Sequence, residues 1–143
     1  MRLTTLTDFS LRMLIHLAIE PDGRATIAEV AKAYRISESH LMKVAHLLGQ
    51  ADYVTTLRGR GGGLQLARPA DKITAGEVVR YMEPDMAIVP CFADAPCAIL
   101  PACGLKHRLR AAREAFLAVL DATTIADLAQ PQVELRSLLA IAA

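Results

Sequence analysis

The order of local signals along the chain predicts a mainly α fold with one small β-hairpin. More specifically, it predicts a winged helix-turn-helix domain followed by a long helix suited to dimerisation. Three observations carry this. Amphipathic helical stretches come first, two of them in close succession. Two short β-type runs then flank the glycine-rich turn RGRGGG. A heptad-spaced helical run follows a loop that holds every cysteine in the chain. With 143 residues, 53% of them hydrophobic, the chain can bury one compact core.

The first helix covers residues 5–19 and is ended by EPDG. The second covers 27–34 with Thr26 as N-cap, and the third covers 38–51 with Ser37 as N-cap. The runs DYVTTL and GLQLA form the hairpin, and Pro69 stops the second run. A short helix at 75–82 is capped by Thr74. An irregular cysteine loop spans 83–104, a long helix 105–121, and a further helical turn 124–129. The apolar tail after Pro131 is expected to be loosely held. The chain thus divides into a DNA-binding domain at 1–82, a cysteine loop at 83–104, a dimerisation helix with a following turn at 105–130, and a tail at 131–143.

The second and third helices carry the DNA-reading candidate. Ile27, Val30 and Ala31 share one face, Ile36 plugs the turn, and Leu41, Val44 and Leu48 share the facing side. A small residue such as Ala31 is what two sharply crossed helices need at their contact. With that face inward, Ser37, Ser39, His40 and Lys43 project from the N-terminal half of the third helix, where helix-turn-helix proteins meet bases and phosphates. Thr26 joins them at the start of the second helix. The turn YRIS lacks glycine. On these helices alone, a plain helical hairpin with a solvated face competes equally.

The hairpin tips that balance. RGRGGG sets Arg58 and Arg60 among glycines, which permit positive φ and close approach to a duplex. Two arginines at such a tip suit a narrow minor groove or phosphates. A nucleotide-binding loop is excluded, because no G-K-[ST] follows and the returning run LQLARP is strand-like. Residues 1–82 carry eleven Lys/Arg against eight Asp/Glu, whereas 83–143 carry five against seven. The positive half is the one with the DNA-reading candidate.

In the long helix, Leu105, Leu109, Ala112, Phe116 and Val119 recur in steps of four and three. This is a heptad seam suited to pairing with a second copy, and a homodimer reads a palindromic site. The alternative is packing on its own domain.

Cys91, Cys97 and Cys103 stand in the spacing C-x5-C-x5-C, among Pro90, Pro96 and Pro101. Nothing in the first residues reads as an export signal, so a cytoplasmic location is expected, and no apolar run is long enough to span a bilayer. In that setting an odd number of cysteines argues for metal or redox chemistry rather than a disulfide framework. The spacing is looser than that of most structural zinc sites, which favours an iron–sulfur cluster. Three thiolates leave one ligand of a four-iron site to be found elsewhere. No paired carboxylates, nucleophile motif or nucleotide loop marks an enzyme.

The segments MRLTTLTDFSLRML, HLMKVAHLLGQADYV, RGRGGGLQLARP, ITAGEVVRYMEPD and CGLKHRLRAAREAFLAVLDATTIADL together resemble the NsrR-like, nitric-oxide-responsive repressors of the iron–sulfur winged-helix family. That family also includes the IscR-like cluster-assembly regulators. The resemblance runs from about residue 1 to 128 and joins the glycine-rich wing to the cysteine loop. It implies a cytoplasmic homodimer with a [4Fe–4S] cluster on Cys91, Cys97 and Cys103 of each subunit, releasing palindromic operator DNA of nitric oxide detoxification genes when nitric oxide attacks the cluster. It also implies that Asp8 supplies the fourth ligand to the partner's cluster. Asp8, Arg12 and His16 form a polar stripe at i, i+4 and i+8, with Arg12 placed to pair with Asp8 and support the switch. IscR-like members place a histidine three residues after the third cysteine. Here Lys106 stands at that place and His107 one residue later, so His107 rivals Asp8. The alternatives are a [2Fe–2S] regulator of cluster assembly or redox stress, an electron-transfer or cluster-carrier protein, and a non-sensing module stiffened by zinc or a cluster.

Overall fold

A computed structural model describes residues 2–59 and 61–141. Arg60, one of the two wing arginines, lies outside the described residues. The elements run α1 (Thr5–Ile19), β1 (Arg24–Ala25), α2 (Ile27–Tyr34), α3 (Glu38–Gln50), β2 (Val54–Leu57), β3 (Gly63–Leu66), α4 (Ala75–Met82), α5 (Gly104–Asp121), α6 (Ile125–Leu128) and α7 (Gln132–Leu138). Short 3-10 turns lie at Ala70–Lys72, Pro90–Ala93 and Leu100–Ala102. The fold is mainly helical with a small antiparallel sheet, as the sequence predicts.

Threonine hydroxyls start four of the helices. Thr4, Thr26, Thr74 and Thr124 each accept from the backbone N–H three residues on, filling a donor that a helix start leaves open. At Thr26 and Thr124 the third helical residue, Glu29 or Asp127, reaches back to complete a capping box. The turn between α2 and α3 manages without glycine because Arg35 itself takes the left-handed conformation (φ 55°, ψ 44°). The Arg35 and Ile36 N–H groups both donate to the Ala31 carbonyl, which closes α2.

One core joins α1 to α4 with α6. Met13, Leu14 and Leu17 of α1 pack with Val30 and Ala31 of α2, Leu41, Val44 and Leu48 of α3, and Leu64 of β3. Val78 and Met82 of α4 and Ile125 of α6 join the same cluster. Cutting a fully buried leucine such as Leu14 or Leu41 to alanine would cost about 2–5 kcal/mol. α1 is therefore the central post against which α3, α4, α6 and α7 lean.

The structure departs from the sequence reading in three places. The sheet has three strands in the order β1-β3-β2, since Arg24 and Ala25 pair with Gln65 and Leu64. Residues 132–138 form α7 rather than a loose tail. Gln132 Nε2 donates to the Ala18 carbonyl at 3.4 Å and Arg136 Nε to the Ile19 carbonyl at 2.5 Å, so α7 caps the free carbonyls at the end of α1. Ser37 stands at the N-cap of α3 but makes no capping bond; its hydroxyl is engaged with His40 instead.

Candidate nucleic-acid interface and cysteine site

Ser37, Ser39, His40 and Lys43 are all exposed on the N-terminal half of α3. The Ser37 hydroxyl and His40 Nδ1 share a hydrogen bond of 2.8 Å, and the His40 ring lies 6.1 Å from that of Phe9 on α1. The α3 face is thus partly pre-ordered and rests on α1. Met42, also exposed on α3, was not singled out by sequence reasoning because an isolated methionine carries no polar signal. Thr26 is exposed, but its hydroxyl is committed to the α2 capping box.

Arg58 is exposed at the wing. Gly59 and Gly61 take positive φ (94° and 73°), and the Gly62 N–H donates to the Gly59 carbonyl at 3.0 Å. A Cβ at Gly62 would sit 2.5 Å from the Leu57 carbonyl oxygen, so no side chain fits there. Arg24 Nη1 reaches the Gly61 carbonyl at 3.4 Å and ties β1 to the wing. The base of the wing is held by Arg68, which sits 5.1 Å over the Tyr53 ring and pairs with Glu77 of α4 at 2.8 Å. Burial pushes the Tyr53 hydroxyl above its ordinary pKa, and Glu77 adds to that.

The cysteines follow α4, in the loop that leads to α5. All three are free thiols; Cys91 and Cys103 are half-buried and Cys97 is exposed. They line one small cavity of about 300 Å³ together with Val89, Ile99, Leu105 and Leu109. As placed, no three His, Cys, Asp or Glu side chains among the described residues are gathered tightly enough for a single metal ion. Cys103 is the N-cap residue of the 18-residue α5 and makes no capping hydrogen bond there. The open N–H groups and dipole of that helix start favour an anionic group beside Cys103. Three unpaired thiols around an apolar cavity at a helix N-terminus fit the donor set and charge of an iron–sulfur cluster. Lys106 lines the same cavity, whereas His107 is exposed and outside it.

Asp8 is not in its own chain's cysteine cavity. Its carboxylate takes Arg12 Nε at 3.1 and 3.0 Å, and it faces an open concavity lined by Arg2, Leu3, Thr4, Thr5 and Leu11. Arg12 lies 5.7 Å over the Tyr34 ring of α2. The Tyr34 hydroxyl is pushed up to about 12 by burial, partly offset by Arg12.

The two ends of the α5 heptad seam are outward, while Leu109 and Phe116 between them are half-buried against the cysteine loop and its stem. Leu105 is 63% and Val119 67% exposed, while α5 packs on its own domain through Leu117, off the seam. α5 is pinned to α4 by Arg80, which pairs with Asp121 and holds its carboxyl below the usual range. Gly76 makes this contact possible, because a Cβ there would overlap the Asp121 carboxylate. Among the described residues no helix is long and apolar enough to cross a membrane.

Known proteins share both the sequence and this arrangement. The chain is 50% identical over 143 residues to the HTH-type transcriptional regulator NsrR of Bacillus subtilis, covering 97% of each chain. It is 44% identical over 142 residues to the regulator of the same name from Geobacillus kaustophilus, again covering 97% of each. Among solved structures, CymR, described as the global cysteine regulator of B. subtilis, superposes with a TM-score of 0.74 at 29% identity, over 90% of this chain and 96% of that one. IscR of T. potens shares the fold, with a TM-score of 0.74 at 22% identity over 90% of this chain and 85% of that one. The family model described as Rrf2, iron-dependent transcriptional regulator, matches residues 3–131. The exposed α3, the wing and the cysteine loop thus sit in a DNA-binding regulator rather than an enzyme, and the chain belongs to the Rrf2 family of transcriptional regulators.

Proposed function

We propose that this protein is a homodimeric repressor that holds a [4Fe–4S] cluster on Cys91, Cys97 and Cys103, with Asp8 of the partner subunit as fourth ligand. It leaves the palindromic operator of nitric oxide detoxification genes when nitric oxide reacts at that cluster. The observation that carries the reading is the cavity at the start of α5 that all three free thiols line. The likeness to proteins named NsrR supports the choice of signal.

When bound, the cluster would supply an iron that is open to nitric oxide at the position held by a carboxylate, a harder ligand for such iron than thiolate. The chain's residues do the rest. Arg12 orients the Asp8 carboxylate through its Nε. Asp8 is tied through α1 to the core that seats α3, and His40 rests against Phe9 of that helix. A shift of α1 therefore moves the reading face. Half-site spacing is fixed by the DNA, so a small relative shift of two α3 helices lowers affinity. Ser37, Ser39, His40 and Lys43 meet the major groove, with Thr26 at the adjoining backbone and Arg58 and Arg60 at the wing.

Iron and acid-labile sulfide per chain in anaerobically purified protein test this reading. About four of each are expected. About two of each would favour a [2Fe–2S] regulator of cluster assembly or redox stress, with His107 as ligand. Zinc without iron would overturn the sensor and leave a DNA-binding module.

A further inference from the structure

Glu83 occupies the C-cap of α4, the last residue before the cysteine loop departs. Its Oε1 accepts from the Thr4 N–H at 2.8 Å and from the Thr7 hydroxyl at 2.5 Å, although these residues lie 79 and 76 positions away in sequence. Thr7 is fully buried. A hydroxyl has one proton to give, and that of Thr7 goes to Glu83. The 2.9 Å contact between the two threonine hydroxyls is therefore donated by Thr4. Thr4 also accepts from the Thr7 N–H at 3.3 Å as the cap of α1, and its carbonyl accepts from the Asp8 N–H at 3.1 Å. One carboxylate oxygen thus closes a network around the first turn of α1, and the Asp8 backbone is its next member.

The link from Glu83 to the cysteines is short. Seven residues separate Glu83 from Cys91, with a proline at each end of that stretch. The Asp85 carboxylate accepts from the Ala87 N–H at 2.9 Å. Leu3, Phe116 and the stem residues 83–88 line one cavity of about 500 Å³, where the chain ahead of α1, the loop stem and α5 converge.

We infer that Glu83 is a positioning residue that couples each subunit's cysteine loop to its own Asp8 and, through Asp8, to the partner's loop. The second step rests on the proposed function; the first does not. The geometry makes a ring: loop, Glu83, Thr4 and Thr7, Asp8, partner loop, and back. The two metal sites of a dimer then load and react as a pair.

Two measurements test the two steps separately. In the cluster-free protein, the cysteines are capped with N-ethylmaleimide and amide hydrogen exchange is read at Asp8 before and after. The wild type should change by about fivefold or more, and Thr7→Val by less than about twofold. Thr7→Ser, which keeps the hydroxyl, should restore the response. A merely structural latch would raise exchange in Thr7→Val both before and after capping and leave the difference intact, which overturns the coupling. Wild type insensitive to capping overturns it as well. Should Thr7→Val fail to fold, Glu83→Ala removes the acceptor from a half-buried position and carries the same comparison.

The second measurement is native mass spectrometry of dimers reconstituted anaerobically with half the iron and sulfide needed. Wild type should hold two clusters or none, and Thr7→Val should follow a statistical distribution with single-cluster dimers prominent. Statistical loading of the wild type beside intact exchange coupling would overturn the cross-subunit step and the placement of Asp8. Paired loading that persists in Thr7→Val would overturn the role of Glu83 alone.

Discussion

Among the described residues, His16 is the one Asp, Glu, His, Lys or Arg side chain buried with the core, 1% exposed, with its ring 5.8 Å from that of Tyr34. Glu20 Oε1 lies 2.9 Å from Nε2, yet neither ring nitrogen makes a well-directed hydrogen bond, and burial outweighs the nearby Glu29 charge to hold the imidazole below its ordinary pKa. The sign follows from proton uptake. Below about pH 6.5 the unfolded chain binds a proton at His16 that the folded chain resists, so stability falls as the pH drops. Burial raises the Glu20 carboxyl, which works in the opposite direction at lower pH. Thermal melts from about pH 7.5 to 5.5 should therefore show a falling midpoint in wild type and a flatter one in His16→Phe. Equal slopes would assign the loss to other groups. At this scale the sequence was legible where chemistry clusters locally. Cys91, Cys97 and Cys103 are near neighbours and announce themselves, and Asp8 and Arg12 are one helical turn apart. Glu83 was not legible, because its partners Thr4 and Thr7 come from the other end of the domain.

At the level of elements, α5 divides its two faces by position. Leu117 is buried in the chain's own domain, while Leu105 and Val119 at the two ends of the seam are exposed, and the proposed dimer pairs α5 with its copy there. Val119→Glu would set like charges across a two-fold seam. Sedimentation equilibrium should show dimer affinity weakened about tenfold or more, with the melt of the monomer core little changed. A dimer of wild-type affinity would place the interface elsewhere. Helix boundaries were readable because threonine caps and EPDG punctuate the chain. β1 was not, since two residues carry no period and pair only once β3 is in place. α7 was missed because Gln132 and Arg136 look like ordinary polar residues until the end of α1 is beside them.

Taken whole, the molecule has one post and several arms. α1 packs against α3, α4, α6 and α7, so α3 and the stem of the cysteine loop share a single support. α4 joins both ends of that system. Glu77 holds the wing base through Arg68, Arg80 holds α5 through Asp121, and Glu83 holds the start of α1. The winged architecture could be foreseen from the order of elements, but this bracket could not, since each of its contacts joins residues distant in sequence. In the proposed function it is the bracket through which a change at the cysteine loop would reach Ser37, Ser39, His40 and Lys43.

The proposed coupling is that chemistry at the cysteine loop sets the grip on DNA. Its most direct test is anaerobic fluorescence anisotropy of the cluster-loaded dimer on a palindromic operator, before and after stoichiometric nitric oxide. Affinity should fall by about tenfold or more, within the range of ordinary coupling energies. An unchanged affinity, with the cluster's absorbance altered by nitric oxide in the same sample, would contradict it.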